Sequence, residues 1–560
     1  MRRPPAPPLA LAALVFLAVL VPAPSAGAAR PAPAAPTGRV LVLLDQAGAR
    51  TPARAAAARA FVARSGARPA GPVVPEIGLV TVRPRPGQSV ASLARALRDR
   101  GGVRSAAPEG RMQFRFAPND PALFAFEDAP GTPAGIPRQW PVLRHGLFRA
   151  WDFQRGDGAV VGVIDSGVDA THPDLQGKIA AAVDQDANPD SGPPGVDESG
   201  HGTHVASLAC AASNNGVGIA GAGLNCRLLI EKSDLTDASI AQSIVDAANR
   251  GVLALNMSFG DDGSRGTTPA ITAAIDYAYS RRVVMVAAGA DDRVAQQGQP
   301  ANLLQPTGTG ARLDQGRGLS VTAAAFDGRP SGAGFGSQIS LAAYGSFQPF
   351  GESGGPRGLL GAFPGNLARL EQEPFACNCR TTVDGDGRYA YLQGTSMAAP
   401  QVAAIAAMMR RRNPDLSVRD VLTILKRTAR RAAPGWTPDL GWGILAGDTA
   451  LDLASRVDRR APTSRLRGPR LTRSRYLFLR WSGARDLAAP GLRPAGILAY
   501  EVWASINGRP YRRVFRTLRT SLRFRATPGA RHAFFTVAVD RQGNREPRPR
   551  LPDARTTVLR

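Results

Sequence analysis

Lysine is almost absent from this sequence of 560 residues. Lys178, Lys232 and Lys426 are the only lysines among 69 basic residues, and all the others are arginines. Cysteine is also scarce, and four cysteines in a chain of this length exclude a scaffold built from disulfides. Hydrophobic residues make up 44% and charged residues 20%, which excludes a disordered or fibrous protein. The length predicts three or four domains.

Charge is distributed unevenly along the chain. The net charge is +25 overall, +13 over residues 1–116 and +17 over residues 461–560, so the middle of the chain carries −5. A mildly acidic centre is therefore expected between two basic segments.

The N-terminus has the pattern of a secretory signal peptide. Arg2 and Arg3 precede an apolar run over residues 9–21, and Ala-Gly-Ala at 26–28 forms a small-residue cleavage site. The run is shorter than the ~20 residues that span a membrane, and no later segment is apolar enough to do so. Residues 1–28 therefore predict export to an oxidising environment, where the cysteines can pair.

Two different patterns of secondary structure follow the predicted signal peptide. After a Pro/Ala-rich linker at 30–37, strand patterns at 39–44 and 78–83 and helix patterns at 53–64 and 89–100 predict a small α+β unit. From 138 to 460, apolar strands alternate with helices, which is typical of a parallel α/β sheet. The run at 160–164 is continuously apolar, as expected for a strand buried on both faces, and the runs at 252–257 and 283–288 are similar.

Beyond residue 460 the pattern becomes antiparallel. Apolar and polar residues alternate at 476–481, 498–505, 522–526 and 533–540. Asn507-Gly508 is a hairpin signal. Residues 461–560 therefore predict a β-sandwich, with Tyr476, Phe478 and Trp481 in its core. The segment AFFTVAVDRQGNRE resembles the last strand of fibronectin-III-like modules.

Three short motifs combine the residue types of nucleophilic catalysis. Asp165 closes the strand of VVGVIDSG, His201 opens a helix in GHGTHVA, and Ser396 opens another in GTSMAAP. A serine hydroxyl requires a base to take its proton, and the base requires a buried acid to orient it. In an open parallel sheet, such sites lie outside the carboxyl ends of the strands.

The three motifs, in the order Asp, His, Ser, resemble the subtilisin-like serine peptidases over about residues 117–455. The resemblance implies a parallel sheet flanked by helices, preceded by a propeptide and followed by the β-sandwich. It implies a secreted serine endopeptidase that forms an acyl-enzyme on Ser396, with His201 as general base and Asp165 as orienting acid. His204 is then structural.

The same resemblance assigns the substrate cleft. The segment LNMSFG is similar to the strand that pairs with bound peptide, so Ser258, Phe259 and Gly260 are expected to line the cleft. Ala288 and Gly289 are expected to form the facing wall.

One position departs from the family. After the glycine that corresponds to Gly289, the family has an asparagine whose side chain donates to the oxyanion. This chain has Ala290 at that position. Asp291 could approach the position but could donate only when protonated. A subtilisin-like scaffold with weakened catalysis, acting mainly in binding, is therefore the alternative function.

The family resemblance also implies a structural calcium ion. Asp174, the Asn215 side chain and the carbonyls of Val217 and Ile219 would supply the oxygen ligands that Ca²⁺ prefers. The alternative is an ordinary Asn-Gly turn. Separately, Cys210 and Cys226 could close a loop across a helix end, whereas Cys377 and Cys379 would form a tight ring or remain free.

The expected organisation is a signal peptide at 1–28, a propeptide at 30–116, a catalytic domain at 117–460 and a β-sandwich at 461–560. The expected partners are protein or peptide substrates and the chain's own propeptide in cis. The basic sandwich is expected either to bind an anionic cell-envelope polymer, which would associate a secreted enzyme with the cell surface, or to be a spacer domain with a solvated basic face. No motif indicates specific nucleic-acid recognition.

Overall fold

The computed structural model describes residues 38–45, 56, 60–61, 63–74, 77–109, 116–188, 191–261, 263–264, 266–374, 376–431, 434–486 and 494–560. The predicted signal peptide and the linker at 30–37 lie outside the described residues, as does much of the helix predicted at 53–64. The chain forms two compact units, Met1–Phe114 and Arg115–Arg560. Within the described residues, no helix has both the length and the apolar character to cross a bilayer.

The first unit is an antiparallel sheet with a helix. Its four strands lie in the order Arg68–Val74, Leu79–Arg83, Val40–Leu44 and Val103–Pro108. The helix Val90–Arg98 is capped by the Ser89 side chain and buries Leu93 and Leu97 in the core of the unit. The two strands and the second helix predicted from sequence are confirmed. The strands Arg68–Val74 and Val103–Pro108 were not predicted.

The second unit is built on a seven-stranded parallel sheet. Its strands lie in the order Leu341–Tyr344, Gly318–Ala324, Val284–Ala288, Ala254–Met257, Val160–Asp165, Arg227–Lys232 and Ile179–Asp184. The strands predicted at 160–164, 252–257 and 283–288 are confirmed as strands of this sheet.

Helices cover both faces of the sheet. On one face, Val161 and Val163 lie in the same apolar core as the helices His201–Cys210 and Thr395–Arg412. On the other face, Ile164 packs with residues of two further helices. Besides His201–Cys210 and Thr395–Arg412, the helices described in this unit are Trp140–Arg144, Leu147–Phe153, Asp237–Asn249, Pro269–Ser280, Ala301–Leu304, Val418–Thr428 and Gly447–Ala454. Short 3₁₀ turns lie at Pro121–Leu123, Pro173–Leu175 and Arg369–Glu371.

A small antiparallel sheet packs on the His201–Cys210 helix. Its strands Leu359–Ala362, Asp386–Leu392 and Arg380–Val383 were not predicted from sequence. Both cysteine pairs are disulfides: Cys210 bonds Cys226, and Cys377 bonds Cys379. The second pair therefore forms the tight ring that was one of its two expected states.

The C-terminal part is a sandwich of two sheets. One contains Thr463–Arg467, Tyr476–Arg485 and Ser521–Arg525, and the other contains Leu471–Thr472, Ala554–Val558, Arg531–Asp540, Ile497–Ile506 and Arg512–Thr517. Asn507 and Gly508, both with positive φ, form the predicted hairpin. The partner strand Arg512–Thr517 was not predicted, because its side chains are mostly exposed and show no alternation.

The prediction that Tyr476 and Phe478 are core residues is wrong. They are 48% and 53% exposed, whereas Trp481 is buried as expected. Because side chains alternate along a strand, Leu477, Leu479 and Trp481 face the core, and Tyr476 and Phe478 face solvent.

Candidate active site

The carboxyl ends of three adjacent strands define the candidate site. Asp165 ends the strand Val160–Asp165, Ser258 follows the neighbouring strand, and Gly289 follows the next. Since the strands are parallel, their ends meet at one edge of the sheet. The helices that begin at His201 and Thr395 pack together and onto these strands.

Asp165 and His201 form a hydrogen-bonded pair. The Nδ1 atom of His201 lies 2.7 Å from Oδ1 of Asp165. The Asp165 side chain is 6% exposed and that of His201 is 26% exposed, so the acid is shielded while the imidazole remains accessible. This arrangement assigns the proton on Nδ1 and leaves Nε2 to act as a base.

Two opposing effects act on the imidazole of His201. Burial favours the neutral ring, but the charge and hydrogen bond of Asp165 outweigh burial and raise the pKa of His201 above its ordinary value. The negative charges of Asp197 and Asp291 add to the rise. The raised pKa means that His201 loses its proton at a higher pH than an ordinary histidine does.

Ser396 is joined reciprocally to Ser258. The Ser396 hydroxyl donates to the Ser258 carbonyl over 3.0 Å, and the Ser258 hydroxyl donates to the Ser396 carbonyl over 2.8 Å. Among the described residues, the Ser396 hydroxyl makes no hydrogen bond to His201. The Ser396 hydroxyl would have to turn away from the Ser258 carbonyl to form a hydrogen bond with His201, and such bonds often form only when substrate binds.

A cleft of about 270 Å³ opens beside the Asp165–His201 pair. Its lining comprises Asp165, Ser166, Ser199, His201, Ser233, Leu235, Ser258 and Phe259. Ser258 and Phe259, expected at the substrate cleft, are therefore in its wall. Gly260 is exposed just beyond them, while Ala288 is buried at the end of its strand and Gly289 is half-buried after it. The substrate-binding role of these five residues stays a prediction.

The position expected to hold the oxyanion donor is occupied by Ala290. Its backbone N–H donates to Gln297 Oε1 over 2.8 Å, and its carbonyl accepts from the Gly334 N–H over 2.8 Å. The backbone at Ala290 is thus fixed by two hydrogen bonds, and its methyl side chain supplies no donor.

Asp291 lies against the start of the Ser396 helix. Its Oδ1 accepts from the Thr395 N–H over 2.7 Å and from the Thr395 hydroxyl over 2.9 Å. Gly394, which precedes the helix, has no side chain and so allows this close approach. A carboxylate is favoured at the positive end of a helix. The next N–H, that of Ser396, has no acceptor within the helix, because the first N–H groups of any helix lack one.

Asp197 holds the start of the His201 helix and was not predicted from sequence. Its Oδ1 accepts from the N–H groups of Ser199 and Gly200, and its Oδ2 from the N–H and hydroxyl of Thr203. The Ser166 hydroxyl also donates to Asp197, over 2.9 Å. An aspartate four residues before a helix-initial histidine is the sequence signal that could have identified it.

His204 faces away from the cleft. It is fully buried, and its Nε2 lies 3.0 Å from the Leu359 carbonyl and 3.2 Å from the Ala390 carbonyl. Burial lowers the pKa of His204 to about 4. It is therefore neutral near pH 7 and attaches the small antiparallel sheet to the helix.

The residues predicted to bind calcium lie close together, but hydrogen bonds join them to one another. Asp174 Oδ2 accepts from the Ile219 N–H and the Tyr389 hydroxyl, both over 2.9 Å, and Oδ1 accepts from the Asn215 amide over 3.4 Å. The Asn215 side-chain oxygen accepts from the Val217 N–H over 3.1 Å. Burial raises the pKa of Asp174 to about 7. Donors occupy the carboxylate that a cation would need, so these residues as arranged do not fit a bound calcium ion.

Comparison with known proteins agrees with this architecture. A model of the subtilase family matches residues 156–443, just over half of the chain. A thermophilic serine proteinase of Bacillus sp. is 32% identical over 269 residues, which are 46% of this chain and 54% of that protein. Thermitase of Thermoactinomyces vulgaris is 29% identical over 50% of this chain and 85% of its own length, and subtilisin BL of Lederbergia lenta is 30% identical over 53% and 91%.

Solved structures give similar matches. A protease from Pseudoalteromonas arctica aligns with a TM-score of 0.48 at 27% identity, covering 60% of this chain and 99% of that one. Fervidolysin from Fervidobacterium pennivorans aligns over 90% of this chain and 91% of its own, with a TM-score of 0.46 and 18% identity. The match to the family model across half of the sequence, centred on the sheet and its two site helices, leads to one conclusion: the chain belongs to the subtilase family.

Proposed function

We propose that this protein is a secreted serine endopeptidase that hydrolyses peptide bonds through an acyl-enzyme on Ser396. The Asp165–His201 hydrogen bond, beside the helix that begins with Thr395 and Ser396, is the observation that carries the proposal. His201 Nε2 takes the Ser396 proton as the oxygen attacks the scissile carbonyl, then passes it to the leaving amine. Water, activated by the same imidazole, releases the acyl group and restores Ser396.

Asp165 acts through orientation and charge. It accepts the Nδ1–H bond, which aims Nε2 at the nucleophile, and its negative charge stabilises the imidazolium that forms during attack. Asp197 supports this geometry indirectly, because it fixes the first turn of the His201 helix. We treat Asp197 as a positioning residue.

An extended peptide substrate would bind as an added strand between Ser258–Gly260 and Ala288–Gly289. The position of Ser258 and Phe259 in the cleft wall supports this. Binding of the peptide would compete for the Ser258 backbone, releasing the Ser396 hydroxyl from the Ser258 carbonyl.

Maturation completes the proposal. Residues 1–28 direct export, and residues 30–116 form a propeptide that is removed from a zymogen. The family resemblance supports this, as does the charge of +13 over residues 1–116 against −5 over 117–460, because opposite charges speed association. The +17 module at 461–560 would then bind an anionic cell-envelope polymer and associate the mature enzyme with the cell surface.

The alternative proposal is a scaffold with weakened catalysis. Two observations favour it: Ala290 supplies no side-chain donor, and the Asp291 carboxylate lies at the helix start. A serine-directed phosphonate distinguishes the two, because only an activated Ser396 reacts with it. Labelling at Ser396 supports the peptidase, and absence of labelling in folded protein supports the scaffold.

The decisive test is Ser396→Ala. We expect it to abolish casein hydrolysis and to leave the full-length precursor uncleaved, with an unchanged circular dichroism spectrum. Ser243→Ala, at a buried serine in a helix remote from the site, is the control and should remain active. If the Ser396→Ala protein still matures and cuts casein, the assignment is wrong.

A further inference from the structure

The outer face of the three-stranded sheet in the sandwich is covered by arginines. Leu466, Leu477, Leu479 and Trp481 point into the core, so their neighbours point outward. The outward, exposed side chains are those of Arg465, Arg467, Tyr476, Phe478, Arg480, Arg523 and Arg525. We call this surface the arginine face.

The acidic residues of the module do not compensate this charge. Residues 461–560 contain five acids against 22 arginines. Glu501 is paired with Arg513 and Arg545 on the other sheet. The other four accept backbone N–H bonds: Asp486 from Gly496, Asp540 from Gln542 and Asn544, Glu546 from Ser464 and Ala538, and Asp553 from Leu466 and Thr536.

None of the five arginines of the face forms an ion pair within the described part of the chain. Arginines of the catalytic part contrast with them: many are paired, as Arg329 is with Asp327 and Glu352. The arginine face therefore carries five positive charges that no described residue neutralises.

Two of these charges lie directly opposite each other. Arg467 and Arg480 are cross-strand partners, and like charges at such positions destabilise a sheet. An anion between the two guanidinium groups would turn this repulsion into attraction.

The two exposed aromatic rings hold guanidinium groups in place. The Arg523 guanidinium lies 4.1 Å from the centre of the Tyr476 ring, and that of Arg480 lies 4.8 Å from the centre of the Phe478 ring. Such cation–π contacts restrict long side chains before a ligand arrives, which lowers the entropic cost of binding. One face of each ring is covered in this way.

We propose that the arginine face binds an acidic polysaccharide through its repeated carboxylates. The guanidinium fork matches a carboxylate with two hydrogen bonds, and five forks on one flat sheet can engage several consecutive acidic sugars. Because a guanidinium group occupies one face of each ring, at most one face per ring could stack on a nucleobase, whereas all five guanidinium groups can pair with carboxylates; this favours an acidic polysaccharide over single-stranded nucleic acid. This site rests on the proposed association of the module with an anionic polymer.

The test compares two triple variants of the full-length protein, kept intact by Ser396→Ala. Arg467→Gln/Arg480→Gln/Arg523→Gln removes three charges from the face. Arg512→Gln/Arg516→Gln/Arg519→Gln removes three exposed, unpaired charges from elsewhere in the module. Affinity for immobilised polygalacturonate is measured at about 50 mM NaCl, where exposed charges are only partly screened.

We expect the face variant to lose about tenfold in affinity and the control variant to lose much less. Equal losses would overturn the site but leave binding by diffuse charge intact. If the parent protein does not bind polygalacturonate, both the site and the tethering are wrong, while casein hydrolysis by the Ser396 enzyme still tests the peptidase independently.

A second comparison leaves the charge unchanged. Tyr476→Ala/Phe478→Ala should weaken binding because it frees two guanidinium groups, whereas Tyr476→Phe keeps the ring and should not. Unchanged affinity in the double variant would contradict the role of the rings. If single-stranded DNA competes at a lower charge concentration than polygalacturonate, the assignment to a polysaccharide is wrong.

Discussion

The carboxylate of Asp291 accepts both the backbone N–H and the hydroxyl of Thr395, the residue directly before Ser396. A negative charge therefore lies at the start of the helix that carries the proposed nucleophile, next to the place where negative charge would develop if Ser396 attacks a peptide carbonyl. The same charge contributes to the raised pKa of His201. Asp291 is thus coupled to two parts of the proposed triad without belonging to it.

Asp291→Asn should make the enzyme faster and active at lower pH. The asparagine oxygen can keep the Thr395 hydrogen bonds, while its amide becomes a donor for the oxyanion, and one such donor is worth on the order of 10²–10³ in kcat. Removing the charge lowers the pKa of His201, so the acidic limb of kcat/KM should move to lower pH. The measurement is the pH profile of peptide hydrolysis.

Asp292→Asn is the matched control for Asp291→Asn, since Asp292 is the adjacent exposed aspartate and is not among the charges that raise the pKa of His201. It should leave both kcat and the position of the acidic limb nearly unchanged. Equal shifts in the two variants would show that only long-range charge, and not the contact with Thr395, matters.

Ala290→Asn should raise turnover by a different route. It places an amide donor at the position where the family carries its asparagine, on a backbone already fixed by Gln297 and Gly334. We expect kcat to rise with little change in KM, because the added bond strengthens in the transition state. An unchanged or lower rate with an intact fold would indicate that another group already serves the oxyanion.

Buried His145 and His204 should each subtract stability as the pH falls from about 6.5 to about 4. Burial lowers the pKa of His145 and of His204 to about 4, while the unfolded chain titrates near 6.5. Above about pH 6.5 the two histidines are neutral in both the folded and the unfolded chain, so their contribution to stability is fully present. As the pH falls towards 4, only the unfolded chain takes up protons on these histidines, and this contribution is lost. Urea unfolding at pH 7, 6 and 5 measures this, and His145→Gln should reduce the slope. The comparison with His145→Gln carries the test, because buried acids such as Asp174 and Glu231, whose pKa values are raised, act in the opposite direction. An equal slope in the two proteins would contradict the prediction.

Chelation should leave the Asp174 loop intact. Because Tyr389 and Ile219 already donate to Asp174, we expect EDTA not to change the unfolding temperature. Tyr389→Phe should cost about 0.5–1.5 kcal/mol, since it removes one of the two hydrogen bonds that Asp174 Oδ2 accepts and leaves the bond from Ile219. Tyr277→Phe, which removes an exposed hydroxyl, is the control. A large loss of stability in EDTA that calcium restores would instead establish the cation site at Asp174, Asn215, Val217 and Ile219.

Local patterns predicted much of the architecture. The buried parallel strands, the helices at His201 and Ser396 and the antiparallel character of the C-terminal part follow from apolar periodicity and from turn residues, which act over a few neighbouring positions. Asp165 and His201 could be placed together from sequence because their motifs resemble those of the subtilisin-like peptidases, not because local periodicity joins them.

Contacts between distant segments could not be predicted in this way. The bond between Asp291 and Thr395 joins residues 104 positions apart, and the loop around Asp174 is closed by Tyr389, 215 positions away. The small sheet at 359–392 packs on the His201 helix although its strands carry weak alternation. Each of these contacts depends on how helices, strands and loops that are distant in the sequence pack against one another.

The sequence by itself determined the parallel sheet, the order of the proposed catalytic residues and the missing asparagine at Ala290, because each is carried by adjacent residues. Only the tertiary structure decided where charge accumulates around them. Strand pairing turned Tyr476 outward and set Arg467 opposite Arg480, since a shift of one residue in register exchanges the two faces of a strand. Helix packing likewise brought the carboxylate of Asp291 to Thr395, because the direction of a side chain is fixed by the elements that surround it.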